Sequence, residues 1–173
     1  LVLRYRRKKE YVRFQEIIHS LSSRHDDNVN NDNEIAVPSE EGIRSMDISE
    51  KELMSKEAEQ AILNKLTDFE KSNVFTNKNI TLSGLSVMLE TNSKYLSYVI
   101  NKHKRKDFNN YINELRINYI IRKLESSPDY LNYKISYLAE DSGFSSHSKF
   151  TDKFKTITGL SPSTFINYLK KEN

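Results

Sequence analysis

The chain contains no cysteine, and this absence excludes several kinds of site at once. Disulfides, zinc sites with thiolate ligands and cysteine nucleophiles all need a residue that the sequence lacks. Four histidines are scattered through the chain, and no two of them have the spacing of metal ligands (His19, His25, His103, His147). There is also no glycine-rich phosphate loop, no G-x-S-x-G elbow and no apolar run of about 18 residues that could span a bilayer. These absences argue against an enzyme, and the sequence predicts no metal and no cofactor.

The charged residues are segregated into three zones. Residues 1–24 are strongly basic, residues 25–54 are strongly acidic, and the remainder again has a basic excess. The acidic zone is rich in Asn and nearly free of large apolar residues, so it cannot bury enough surface to offset the entropy of ordering. We therefore predict a disordered acidic linker over residues 25–48.

The basic first zone, residues 1–24, has apolar positions at Val12, Ile17, Ile18 and Leu21. They indicate a short helix with a solvated basic face. An alternative takes Leu1 to Leu3 as the end of a removed membrane span and Arg4 to Lys9 as its cytoplasmic flank, in line with the positive-inside tendency. Since the first residue is Leu, we expect a fragment of a longer protein, and the upstream residues decide between the two.

Residues 49–173 have helical periodicity and no convincing strand alternation. Ser49 and Glu52 match a capping box. Apolar residues then recur on one side of a helix, at Ala58, Ile62, Leu63, Leu66 and Phe69. Further helices are predicted at about 82–90, 93–104, 107–126, 134–142, 146–158 and 162–171. The sequence thus predicts an all-α domain with about seven helices.

Residues 139–165, "AEDSGFSSHSKFTDKFKTITGLSPSTF", contain two of the four glycines and half of the eight phenylalanines. Gly143 is placed to end one helix, and Ser145 or Ser146 to cap the next. Gly159 ends that second helix, and Ser161 with Pro162 starts the last one. A short helix, a tight glycine turn and a second helix are typical of a helix-turn-helix unit, here about 134–158. An ordinary helical hairpin remains an alternative on this pattern alone.

A similar pattern lies upstream, at about 78–105. Leu85 and Leu89 face inward with small Ser86 near the crossing, and Asn92 is the expected N-cap of the second helix. Glu90 stands where glycine would adopt the turn more easily, so the turn either differs or is strained by about 1 kcal/mol. The helix of about 107–126 between the two units would span about 30 Å, close to the 34 Å between successive major-groove faces.

These motifs resemble the C-terminal domain of the AraC/XylS family of bacterial transcription regulators. The resemblance covers about residues 78–169. In the second unit it rests on Ile135, Leu138, Ala139, Gly143, Phe144, Ser148, Phe150, Phe154, Lys155, Thr158, Gly159, Ser161 and Pro162. In the first unit and the connecting helix it rests on Leu85, Ser86, Leu89, Tyr95, Leu96, Tyr111, Ile112, Leu115 and Arg116. It implies two helix-turn-helix (homeodomain-like) subdomains joined by a long linker helix and bound to promoter DNA.

The resemblance also implies which side chains face the bases. Carried over by position, they are Lys94, Ser97 and Tyr98 in the first recognition helix, and His147, Ser148 and Thr151 or Asp152 in the second. Asp152 would accept only from a base such as cytosine and would repel phosphate. From charge alone, the candidates for phosphate contacts are Lys102, Lys104, Arg105, Lys149, Lys153 and Lys155. Lysines at such spacing can equally form a solvated face.

We therefore expect a sequence-specific DNA-binding transcription regulator, an activator or a repressor, that reads two adjacent major grooves and is not an enzyme. An interaction module of the same fold and the output domain of a membrane-tethered sensor-regulator are the alternatives. The expected partner is double-stranded promoter DNA. RNA polymerase and a second copy of the chain are further candidate partners. A membrane is a candidate only if a membrane span lies upstream. The expected location is the cytoplasm, with tethering to the inner membrane in that last case.

Overall fold

The computed structural model describes residues 2–26 and 53–172. These residues form eight α-helices and no strand. The helices are α1 (Val2–Asp26), α2 (Lys56–Lys71), α3 (Leu82–Met88), α4 (Ser93–Lys104), α5 (Phe108–Ser126), α6 (Ile135–Asp141), α7 (His147–Thr158) and α8 (Pro162–Glu172). Short 3₁₀ segments precede α3 (Val74–Thr76) and α6 (Pro128–Asn132). The all-α class and the seven helices predicted after the linker are confirmed.

The helices enclose two hydrophobic cores that share the long helix α5. The first core lies among α2, α3, α4 and the N-terminal half of α5, and it includes Leu66, Leu85, Leu96 and Ile112. The second lies among α1, α6, α7, α8 and the C-terminal half of α5, and it includes Phe14, Ile121, Phe150 and Phe165. Tyr119 packs against both cores. Because α5 belongs to both, its length sets the distance between them.

Helix α2 begins later than the capping-box motif suggests. Its N-cap is Ser55, whose hydroxyl accepts a hydrogen bond from the amide of Ala58 at 3.2 Å. The predicted pair of Ser49 and Glu52 lies outside the described residues, as does the predicted linker apart from its first two positions. The buried stripe of α2 is confirmed at Ile62, Leu66 and Phe69.

Helix α1 is longer than predicted, and its apolar contacts differ from the predicted ones. Val12 is 49% exposed, whereas Phe14, which the periodicity did not single out, is fully buried in the second core. Ile17 and Ile18 pack partly against that core, and the side chain of Leu21 lies outside the described part. Within the described residues, no helix is both long enough and apolar enough to cross a membrane.

Candidate nucleic-acid interface

The first helix-turn-helix unit consists of α3 and α4. Thr81 caps α3 by accepting from the amide of Gly84 at 3.0 Å, and Asn92 caps α4 by accepting from the amide of Tyr95 at 2.8 Å. Ser86 is buried where the helices meet, and its hydroxyl lies 3.1 Å from that of Ser93. Between them Glu90 has a φ of 53°, a left-handed conformation that favours glycine. The predicted cap at Asn92 is confirmed, and of the two alternatives for the turn the structure has the left-handed conformation at Glu90.

The second unit consists of α6 and α7 and has the predicted glycine turn. Gly143 has a φ of 83°, and the amide of Phe144 donates to the carbonyl of Ala139 at 2.9 Å. Of the two serines considered as caps, Ser146 accepts from the amide of Lys149 at 3.3 Å. Gly159 ends α7 with a φ of 76°. Each turn thus leads into a second helix, α4 or α7, that buries one face in its core and exposes the other.

The turn of the second unit also lies against the 3₁₀ segment that precedes the first unit, which the sequence did not indicate. Buried Arg116 of α5 donates to the carbonyls of Phe75 and Asn77, each at 2.8 Å, beside the 3₁₀ turn before α3. Its guanidinium lies 5.6 Å from the centre of the Phe144 ring, just after the turn of the second unit. A Cβ atom on Gly143 would lie only 2.0 Å from the carbonyl oxygen of Thr76. These contacts fix the orientation of one unit relative to the other.

The candidate base-reading side chains differ in accessibility. Lys94 is exposed on α4, and His147 and Ser148 are exposed at the start of α7; Ser97 and Tyr98 are half-buried. Thr151 does not fit the prediction, because its hydroxyl oxygen is buried and has no hydrogen-bond partner. Asp152, one turn along α7 from Ser148, is exposed instead.

Asn101 is a candidate that the sequence did not single out. It is exposed on α4, four residues after Ser97 and seven after Lys94, which places it on the same helical face. Its side-chain amide donates to the carbonyl of Ser97 at 3.0 Å. Periodicity from Lys94 could have found it, because Asn is a residue type that pairs with adenine in the major groove.

The six candidate phosphate ligands fall into two groups. Lys102 forms an ion pair with Glu59 at 2.9 Å, Lys104 one with Glu70 at 2.7 Å, and Lys153 donates to the side chain of Asn110 at 3.1 Å. The other three, Arg105, Lys149 and Lys155, are exposed and have no ion pair with any described residue. Only this second group has charges that remain available to phosphate without breaking an internal contact.

The ion pairs connect the C-terminal end of α4 to α2. Glu59 accepts hydrogen bonds from Lys102 and His103, which hold the pKa of its carboxyl below the ordinary value. The same contact with Glu59 raises the pKa of Lys102. Glu70 also accepts from the hydroxyl of Tyr111 at 3.0 Å, and burial raises the pKa of that hydroxyl. α2 therefore positions α4 through charge as well as through the first core.

Solved structures resemble this architecture. A transcriptional regulator from Chromobacterium violaceum, with an AraC-type DNA-binding domain, covers 69% of this chain and 100% of its own at 12% identity and a TM-score of 0.54. The C-terminal domain of AraT, a response regulator from Geobacillus stearothermophilus, covers 62% of this chain and 84% of its own at 21% identity and a TM-score of 0.52. Both show the fold.

ToxT from Vibrio cholerae is similar at 27% identity and a TM-score of 0.52, over 62% of this chain and 39% of its own length. No curated protein sequence matches the chain. The family model that matches is described as a helix-turn-helix domain, and it covers residues 85–168, from inside α3 to inside α8. Residues 85–168 are thus an AraC-type helix-turn-helix domain, which indicates a DNA-binding transcription regulator.

Proposed function

We propose that this chain binds promoter DNA sequence-specifically and places α4 and α7 in two adjacent major grooves. The observation that carries the proposal is the shared helix α5, whose 19 residues give a spacer of about 28 Å. Successive major-groove faces lie about 34 Å apart on one side of a duplex. With Arg116 and Gly143 holding the units in contact, both second helices can meet one face of the duplex without a change in the fold.

The exposed side chains suit different parts of base recognition. Lys94 can donate to the O6 and N7 acceptors of guanine, and Asn101 can pair with the N6 and N7 of adenine. His147 and Ser148, at the N-terminal end of α7, are where a recognition helix usually contacts base edges. Asp152 can accept only from a donor such as the N4 amine of cytosine, so we expect α7 to disfavour other bases near it.

The charges support contacts to the phosphate backbone on both helices. Arg105 extends from the C-terminal end of α4, and Lys149 and Lys155 extend from α7, all into solvent. Lys102 and Lys104 would have to exchange a glutamate for a phosphate, which reduces what they add to affinity. The salt dependence of binding should therefore come mainly from Arg105, Lys149 and Lys155.

The test is selection of bound sequences from a random duplex pool at two salt concentrations, followed by affinity measurements on the selected duplex. We expect one enriched sequence with two half-sites about one helical turn apart. Lys94→Ala and His147→Ala should each weaken binding by about tenfold and relax base preference in a different half-site. Lys56→Ala is the matched control, because it removes an exposed cation of α2 outside both units.

An interaction module of the same fold predicts the opposite results. No enriched sequence at either salt concentration would favour it. Unchanged affinity in both Lys94→Ala and His147→Ala would contradict the assigned base contacts even if the chain binds DNA. If the half-sites are enriched but their separation varies freely, the rigid spacing by α5 is wrong.

A further inference from the structure

Helix α1 packs against the second helix-turn-helix unit although it precedes residue 85, where the family match begins. Phe14 is fully buried, with its ring centre 5.0 Å from that of Phe165 and 5.5 Å from that of Tyr168. Phe165 in turn contacts Phe154 of α7, at 5.4 Å between ring centres. Phe14 therefore completes the same aromatic cluster that supports the recognition helix α7.

Arg13, next to Phe14, contacts the end of α7 itself. Its Nε donates to the carbonyl of Thr158, the last residue of α7, at 2.9 Å. The last four carbonyls of a helix have no partner within the helix, and that end carries a partial negative charge. A guanidinium bound there satisfies one carbonyl and places a positive charge at the favourable end.

Gly159 makes room for this contact. A Cβ atom at Gly159 would lie 2.2 Å from the Nε of Arg13 and 2.6 Å from its Cζ. The glycine therefore has two roles: its φ of 76° ends α7, and its missing side chain leaves space for the guanidinium. The sequence indicated only the first role.

A second set of polar contacts, made by Tyr11 and Gln15, attaches α1 to α8. The hydroxyl of Tyr11 donates to Glu172 at 2.9 Å, and Gln15 donates to both Tyr11 and Glu172. The hydrogen bond to Glu172 raises the pKa of the Tyr11 hydroxyl. Together with Phe14 and Arg13, these contacts hold α1 against α7 of the second unit and against α8.

We infer that α1 supports DNA recognition by the second helix-turn-helix unit and that Arg13 is a positioning residue for α7. The inference rests on the proposed function, since it concerns how α7 meets its half-site. Arg13 does not touch DNA in this assignment; it fixes the C-terminal end of α7, whose other end carries His147 and Ser148. No described contact joins Arg13 to α4, which α2 holds through Glu59, so its effect should be confined to one half-site.

The experiment uses the full chain and three variants, Arg13→Ala, Arg13→Lys and Val12→Ala. Val12 is the matched control because it is the neighbouring residue on α1 and its side chain is exposed. Amide hydrogen exchange without DNA reports the stability of the C-terminal end of α7 relative to α4. Affinity is then measured for the selected duplex and for duplexes altered in each half-site, with the α7 half-site defined as the one that His147→Ala relaxes.

We expect Arg13→Ala to speed exchange at the end of α7 only and to weaken binding by about tenfold. It should also reduce discrimination in the α7 half-site while leaving the other unchanged. In exchange rate, affinity and discrimination, Arg13→Lys should lie between Arg13→Ala and the original chain. Val12→Ala should match the original chain in all three.

Three results would overturn the inference. The first is unchanged amide exchange at the end of α7 in Arg13→Ala. The second is faster exchange with unchanged base discrimination, which would make Arg13 merely structural. The third is an equal loss of base discrimination in both half-sites. If the original chain selects no sequence, the proposed function fails and the inference about DNA falls with it, whereas the exchange data alone still show whether Arg13 holds α7.

Discussion

Arg116 donates from its Nε to the carbonyl of Phe75 at 2.8 Å, across 41 positions of sequence. This bond joins the middle of α5 to the turn before α3, and a second bond to Asn77 adds to it. Burial lowers the pKa of Arg116, but a guanidinium stays charged at neutral pH, so the two carbonyls must replace its lost hydration. Arg116 therefore adds a specific polar link to the apolar contacts of the first core.

Replacing Arg116 by Ala should destabilise the chain by about 3 kcal/mol, because two carbonyls lose a charged donor inside the protein. Denaturant unfolding at neutral pH measures this free energy. Arg122→Ala, at an exposed position of the same helix, should change it by less than about 0.5 kcal/mol. Equal losses in the two variants would show that the bonds to Phe75 and Asn77 add nothing specific.

Two glycines should respond differently to the same substitution. Gly143→Ala places a Cβ atom 2.0 Å from the carbonyl oxygen of Thr76, at a φ of 83°, so we expect a loss of about 3 kcal/mol or more. Gly84→Ala meets only the Thr81 hydroxyl, at 3.2 Å, within helix α3, and should stay within about 1 kcal/mol of the original. Thermal unfolding of both variants checks this; a tolerated Gly143→Ala would mean that the two units can separate there.

The helix ends, caps and turns of each unit were predictable because they depend on residues that are close together in the sequence. Helix ends at Gly143 and Gly159, the caps at Asn92 and Ser146 and the strained Glu90 all follow from backbone preferences of single residues. The base-facing candidates came from position within the resembling family. Their contacts to DNA stay predictions, and for Thr151 the buried hydroxyl argues against one.

Contacts between distant segments were not predictable, because periodicity shows that a side chain is buried and not what it meets. Arg116 was noted only as a family position, and Phe14 was missed since the basic residues around it obscure the apolar spacing. The phosphate candidates were chosen as a charge run, but the pairing of Lys102 and Lys104 depends on where α2 places Glu59 and Glu70. Sequence alone cannot supply that placement.

The strain at Glu90 can be separated from its ion pair. Glu90 pairs with Lys65 at 2.6 Å on the surface, so comparison with the original residue would mix two effects. Glu90→Gly and Glu90→Ala both remove the pair, and only glycine adopts a φ of 53° without strain. We expect the glycine variant to be the more stable of the two by about 1 kcal/mol in denaturant unfolding; the reverse order would show that the turn relaxes.

The contact of Glu59 with α4 should make stability depend on pH. Because the folded pKa of Glu59 lies below its ordinary value of 4.5, its contribution is present above that value and is lost as the pH falls through the folded pKa. Glu59→Gln should therefore be less stable than the original chain at pH 7, and the two should converge as the pH falls from 7 through the folded pKa of Glu59. Thermal unfolding across this range measures the difference.

Other carboxyls with lowered pKa values, Glu57 and Glu90, are present in both proteins and cancel in that difference. Glu140→Gln is the control, since Glu140 is exposed and forms no ion pair with a described residue. Its stability should follow the original chain at every pH. A constant gap between Glu59→Gln and the original from pH 3 to pH 7 would mean that the carboxylate charge is not what matters.

The internal ion pairs also predict unequal contributions of the lysines to salt-dependent DNA binding. Lys149→Ala and Lys155→Ala should each reduce the slope of log affinity against log salt by about one unit, because each exposed cation can release one counterion from a phosphate. Lys102→Ala should reduce it by clearly less, since Glu59 already neutralises that charge. Titration of the selected duplex at four salt concentrations gives the slopes, with Lys56→Ala as the unchanged control. If Lys102→Ala lowers the slope as much as Lys149→Ala, then Lys102 leaves Glu59 for a phosphate on binding, and α2 loses its charged contact with α4 in the complex.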